Sequence, residues 1–99
     1  MTEYLYTVSI QFADWSLGVE QASATDCRRA LELALRQAES LQNRAPEAIE
    51  ELVSGVKMVH IAEVRGVWDW YPGGGPSRSI PDVYGGLVIQ TDLEAPVRG

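Results

Sequence analysis

The sequence predicts an α+β domain: a three-stranded, mainly antiparallel sheet covered on one face by one long and one short helix, in the order β-α-α-β-β. Three observations predict it. Period-two alternation runs from Glu3 to Ala13, an apolar stripe at spacings of three and four runs from Cys27 to Leu41, and alternation returns after Gly55. Residues 1–94 are expected to form one domain, with 95–99 as a tail.

In the first stretch the even positions are Tyr4, Tyr6, Val8, Ile10 and Phe12, and polar residues dominate the odd ones. A β-branched, aromatic-rich alternation is the mark of a strand with one buried face. Asp14 to Ala24, with Gly18 inside it, reads as a connection with room for a short irregular strand. Ser23, Thr25 and Asp26 then offer competing oxygens to cap the first amides of a helix. Its buried stripe is Cys27, Ala30, Leu31, Ala34, Leu35, Ala38 and Leu41, one side of a 3.6-residue repeat. Arg28, Glu32, Arg36 and Glu39 are spaced to form opposite-charge neighbours on the exposed side. Leu33 falls off the stripe, so it is either a lone exposed leucine or a sign that a partner covers this helix.

Pro46 cannot sit inside that helix but suits the first turn of another. A break over Asn43 to Pro46 is expected, followed by a helix with Ile49, Leu52 and Val53 inside and Gly55 as its stop. Glu47, Glu50 and Glu51 fall near its N-terminus, where the backbone dipole favours carboxylates. From Val56 to Trp70 the even positions carry Met58, His60, Trp68 and Trp70, and the odd ones Val59, Ile61 and Val67. Two apolar faces indicate a central strand or one whose second face meets a partner. Tyr71 to Pro81, rich in glycine and proline, is a loop. A last strand spans about Tyr84 to Leu93 and forms a hairpin with the preceding one. The sheet face away from the helices would show Leu5, Val59, Ile61, Val67 and Val88, an apolar patch of the kind that marks an interface.

Composition narrows the functional classes. Fourteen acidic residues against eight basic ones give a net charge of −6, which opposes contact with phosphate backbones and anionic membranes. Direct nucleic-acid binding is therefore disfavoured, and no membrane association is expected. One cysteine permits no internal disulfide and fits a reducing compartment. Without the basic start and apolar run of a signal peptide, the expected location is the cytoplasm.

The catalytic inventory is thin. His60 reads as a structural histidine rather than a general base, since Glu63 lies on the opposite face of its strand. Cys27 stands at a helix start, where a thiol can be activated, but the same position opens the buried stripe and favours core packing. The run Gly73-Gly74-Gly75-Pro76-Ser77-Arg78 lacks the lysine-serine or lysine-threonine ending of a phosphate loop, and Pro76 removes one of its amides. No histidine–cysteine metal spacing and no EF-hand loop occurs. Neither a metal nor a cofactor is expected, and no catalytic residue is assigned.

Val67 to Pro72 holds three aromatics within four residues, beside a loop containing Arg78. Tryptophan, tyrosine and arginine are enriched among interface hot spots. Trp68, Trp70, Tyr71 and Arg78 are thus the candidate binding residues, with core packing as the competing role for the two tryptophans. Leu33, Val59 and Ile61 are candidate interface residues. The leading expectation is a non-enzymatic protein-binding or regulatory module, in a narrower form an acidic inhibitor or nucleic-acid mimic, with a homodimer as one outcome. A small-ligand carrier using the 67–80 loop and an enzyme completed by dimerisation are the alternatives.

Overall fold

The computed structural model describes residues 3–43, 45–73 and 83–91. The chain runs through β1 (Tyr4–Phe12), β2 (Leu17–Ala24), α1 (Cys27–Gln37), a 3-10 turn (Glu39–Leu41), α2 (Pro46–Gly55), β3 (Lys57–His60), β4 (Val67–Tyr71) and β5 (Val83–Gln90). All strand pairs are antiparallel, and the order across the sheet is β2-β1-β5-β4-β3. The fold is α+β, but the sheet has five strands, which corrects the expected three-stranded β-α-α-β-β arrangement.

Two local causes explain the difference. The expected connection after Asp14 contains a full strand, β2. Its helix-side residues, Gly18, Glu20, Ala22 and Ala24, are small or polar, whereas its outward row begins with Leu17 and Val19. That reverses the usual apolar-inside alternation and hides the strand from a hydrophobicity reading. The long run after Val56 is two strands, β3 and β4, joined by a turn in which Gly66 has φ of 74°. Met58 pairs with Trp70 and His60 with Trp68, so the even residues of both strands share a face. The turn therefore leaves the period-two pattern intact and invisible as a break.

The helices lie on the face formed by Tyr6, Val8, Ile10 and Phe12, all buried. Among the strands α1 packs chiefly over β2, and to an equal, smaller extent over β1 and β5. Alanines on both surfaces, Ala22 and Ala24 below and Ala30 and Ala34 above, are buried there and permit a close approach. Asp26 proves to be the N-cap, its carboxylate accepting from the Arg29 amide at 2.8 Å. The helix ends earlier than the stripe suggested, at Ala38, which is extended. The Gln42 side-chain amide donates to the Arg36 and Gln37 carbonyls at 3.0 and 3.2 Å, satisfying groups that a helix end leaves open. The 3-10 turn still brings Leu41 into the core.

Arg28 does not pair with Glu32. Its guanidinium donates to the Val53 and Val56 carbonyls at 2.6 and 3.1 Å, setting a cation at the C-terminal end of α2, where the helix dipole is negative. Glu32 bonds Arg29 and Arg36 instead, each at 2.9 Å. Those partners, Arg36 first, hold its carboxyl below the usual range.

The centre of the sheet departs from a regular ladder. β1 and β5 pair from Tyr6–Gln90 to Val8–Val88 and again at Gln11–Gly85, with a shift at Phe12. In the gap the Leu87 amide donates to the Ser9 hydroxyl at 2.8 Å. The Ser9 carbonyl accepts from the indole N–H of Trp70 at 3.1 Å. Trp70 belongs to β4 and pairs with Gly86, so its fully buried ring spans β5 to reach β1. Gly85 holds φ of 142°, and a Cβ at Gly86 would collide with the Ser9 carbonyl. Replacing Gly86 by alanine should lower stability by about 2 kcal/mol or more. Gly55→Ala, which meets nothing within 4 Å, should be neutral or mildly stabilising; thermal melts of the two proteins compare them directly.

Candidate functional site

The groups with intrinsic reactivity are dispersed. Cys27 is half-buried, with Met58 Sδ at 4.0 Å from its sulfur. Burial first, and the Asp26 charge second, push its thiol above the ordinary value, away from the thiolate that nucleophilic chemistry requires. His60 is exposed at the end of β3 on the helix side, its ring 5.5 Å from Trp68 and tilted by 49°. Trp68 lies 6.2 Å from Tyr6. Among the described residues no three histidine, cysteine, aspartate or glutamate side chains are grouped to hold a metal ion, and no helix is long and apolar enough to cross a membrane.

The expected binding residues separate. Trp70 is fully buried in the core and Trp68 is half-buried against it. Tyr71 is exposed and, by alternation, belongs to the other face of β4. Arg78 lies outside the described residues. Of the expected interface residues, Leu33 is half-buried and packed against the core. Val59 is exposed on the helix-free face, and Ile61 is exposed just beyond the end of β3, where its amide donates to the Val67 carbonyl at 3.0 Å. Val88, expected on that outer face, is instead buried on the helix side, opposite Val8 and Trp68.

The helix-free face is the largest feature that the sequence reading left incomplete. Register places Leu5, Thr7, Ser9 and Gln11 of β1 on it, beside Ser23, Gln21, Val19 and Leu17 of β2. Ile89 and Leu87 of β5 lie on their other side, followed by Val67 and Asp69 of β4 and then Val59 of β3. Thr7 accepts from the Gln21 side-chain amide at 3.0 Å, tying two strands together. Along these strand rows the only charged residues are Lys57 and Asp69, both at the β3–β4 side. In contrast, Glu47, Glu50 and Glu51 are exposed on α2, on the other side of the sheet. A sheet face poor in charge on a chain of net charge −6 matches the composition of an interface core.

One end of this face carries Trp15, 81% exposed, at the tip of the β1–β2 hairpin. Phe12 accepts from the Trp15 amide and donates to the Ser16 carbonyl, both at 3.0 Å. This three-residue loop demands a left-handed residue at its last position, and Trp15 takes it with φ of 69°. Asp14 stiffens the tip by accepting from the Ser16 amide at 3.0 Å and from its hydroxyl. Those bonds hold the Asp14 carboxyl below its usual range, the hydroxyl contributing most. A bulky residue kept in a costly conformation, with its side chain in water, is an outlier of the kind found at functional positions.

No protein-family model matches the chain, and no match was found among curated proteins or solved structures.

Two outcomes follow from this geometry. Trp15→Gly should raise stability by up to about 1 kcal/mol, because glycine takes the left-handed conformation freely; chemical denaturation measures it. Cys27 should react with a disulfide reagent near neutral pH well below the rate of an unstructured cysteine peptide, and reach that rate only on unfolding.

Proposed function

We propose that this protein is a small non-enzymatic module that acts by binding another protein, a second copy of itself included, through the helix-free face of its sheet. The observation that carries the reading is the contrast between that face, with Lys57 and Asp69 as its only charged strand positions, and the acidic remainder of the chain. Leu17 is 61% and Val19 57% exposed on it, with Leu5, Val67, Leu87 and Ile89 half-buried between the flanking strands. Apolar area of this kind gains free energy when a partner removes it from water. The surrounding hydroxyl and amide groups, Thr7, Ser9 and Gln21 among them, supply donors and acceptors for specificity.

An acidic inhibitor would use a different surface, the outer side of α2 with Glu47, Glu50 and Glu51. Either side can meet a given partner first, but the open sheet face is covered in the functional complex.

The test is a Thr7→Arg/Val59→Lys double variant. Both positions are on the face, and Val59 is opposite Asp69, so the new lysine has an opposite-charge neighbour. Stability should stay within about 1 kcal/mol of wild type. Affinity capture from cell extract should recover a stoichiometric protein with wild type and lose it with the variant. Equal capture by both proteins would overturn the reading, as would turnover of a substrate panel that disappears in His60→Ala.

A further inference from the structure

The two edges of the sheet are built differently. β3 is four residues long and opens with Lys57, and shortness and a lysine are both devices that discourage a strand from pairing outward. β2 is eight residues long, with the sequence LGVEQASA, and contains neither lysine nor proline. The hydrogen bonds around it fix which backbone groups face out. The Phe12 amide donates to Ser16 in the hairpin, and the Leu5 carbonyl accepts from the Thr91 amide on the β5 side. Even residues of β1 therefore bond β2, and odd ones turn towards β5. Through the register of Ile10 with Gly18 and Val8 with Glu20, the even residues of β2 are bonded inward. Leu17, Val19, Gln21 and Ser23 direct their amides and carbonyls to the open edge, and no described strand pairs there.

We propose that this edge pairs with the same edge of a second copy. The two β2 strands run antiparallel about a two-fold axis at Val19 and join two five-stranded sheets into one. The strand is self-complementary in one register above others. Its single charge, Glu20, would face its own copy if the axis passed through residue 20, and like charges directly opposite are destabilising. Centred on Val19, the pairing sets Glu20 across from Gly18, Val19 across from Val19 and Leu17 across from Gln21. The exposed aliphatics then meet at the junction. Centred on Gln21, Val19 would meet Ser23 and the aliphatics would separate. The Val19 register also brings Trp15 level with Ser23 of the second copy. That gives the strained, solvent-exposed tryptophan a surface to cover. Because strand addition preserves side-chain alternation, the two helix-free faces become one continuous face. This deepens the protein-binding reading but stands on the edge of the sheet, not on what its face binds.

Sedimentation velocity of the whole chain, from micromolar to millimolar concentration, tests it. Wild type should form a reversible dimer. Val19→Pro removes an outward amide while leaving every bond to β1 in place, and should raise the dimer dissociation constant roughly tenfold or more, since two inter-chain hydrogen bonds are lost. If circular dichroism shows that proline disturbs the fold, Val19→Lys replaces it, setting two cations together on the axis with the same expected loss. Val19→Cys in a Cys27→Ala background should form a disulfide-linked dimer on mild oxidation, because only an axis at residue 19 places it opposite itself. A wild type that stays monomeric throughout overturns the proposal, as does a Val19→Lys protein that dimerises like wild type. Loss of the dimer in Thr7→Arg/Val59→Lys but not in the Val19 variants would mean that the copies meet face to face, and would also overturn it. A monomeric wild type that still captures a partner lost in the double variant leaves the protein-binding reading standing alone.

Discussion

The hydrogen bond from the Trp70 indole to the Ser9 carbonyl is the contact around which the sheet is arranged. It links β4 to β1 across the intervening β5, at the place where the β1–β5 ladder is interrupted. A buried carbonyl without a donor costs about 1–3 kcal/mol, and here a side chain supplies what the neighbouring strand does not. The Ser9 hydroxyl repairs the other half of the gap by accepting from Leu87. Glycine at 85 and 86 is a consequence of this arrangement, since the backbone twists there into a form that side chains resist. One fully buried tryptophan thus ties three strands together, flanked by Gly86 and Met58 in the register while its indole reaches β1.

The elements with strong local signals were legible in the sequence. β1 shows its buried face through Tyr6, Val8, Ile10 and Phe12, α1 through its stripe and Asp26, and α2 through Pro46. β2 was not legible, because its inward residues are alanines, a glycine and a glutamate, and only the tertiary structure shows that α1 lies over them. The β3–β4 turn was hidden because it preserves parity. The outer face was named in part, through Leu5, Val59 and Val67, from alternation alone. Leu17 and Val19 were missed with the strand that carries them. Their alternation with Gly18 and Glu20 was the signal that would have found them.

Charge is sorted in this molecule by layer. The helices carry the ion pairs of Arg29, Glu32 and Arg36 and the exposed carboxylates of α2, while the opposite face of the sheet is lined mainly by aliphatic, hydroxyl and amide groups. Such sorting leaves long-range electrostatics to the helical side. Arg28, spent on the carbonyls at the end of α2, is part of the same division, because it fastens one helix to the other instead of pairing on the surface.

The place of β5 in the middle of the sheet has a consequence for how the chain is made. β1 is translated before β5, its central neighbour, with β2, both helices, β3 and β4 made between them. Until then β1 and β2 form a hairpin, and the β1 edge that will receive Leu87, Val88 and Ile89 is without its strand. A two-stranded ribbon is marginal in water, and contacts of such sequence separation form slowly. Between the synthesis of β1 and that of β5 this strand edge is therefore uncovered, a window in which chaperones or early assembly would matter more than for a fold whose paired strands are all neighbours in sequence.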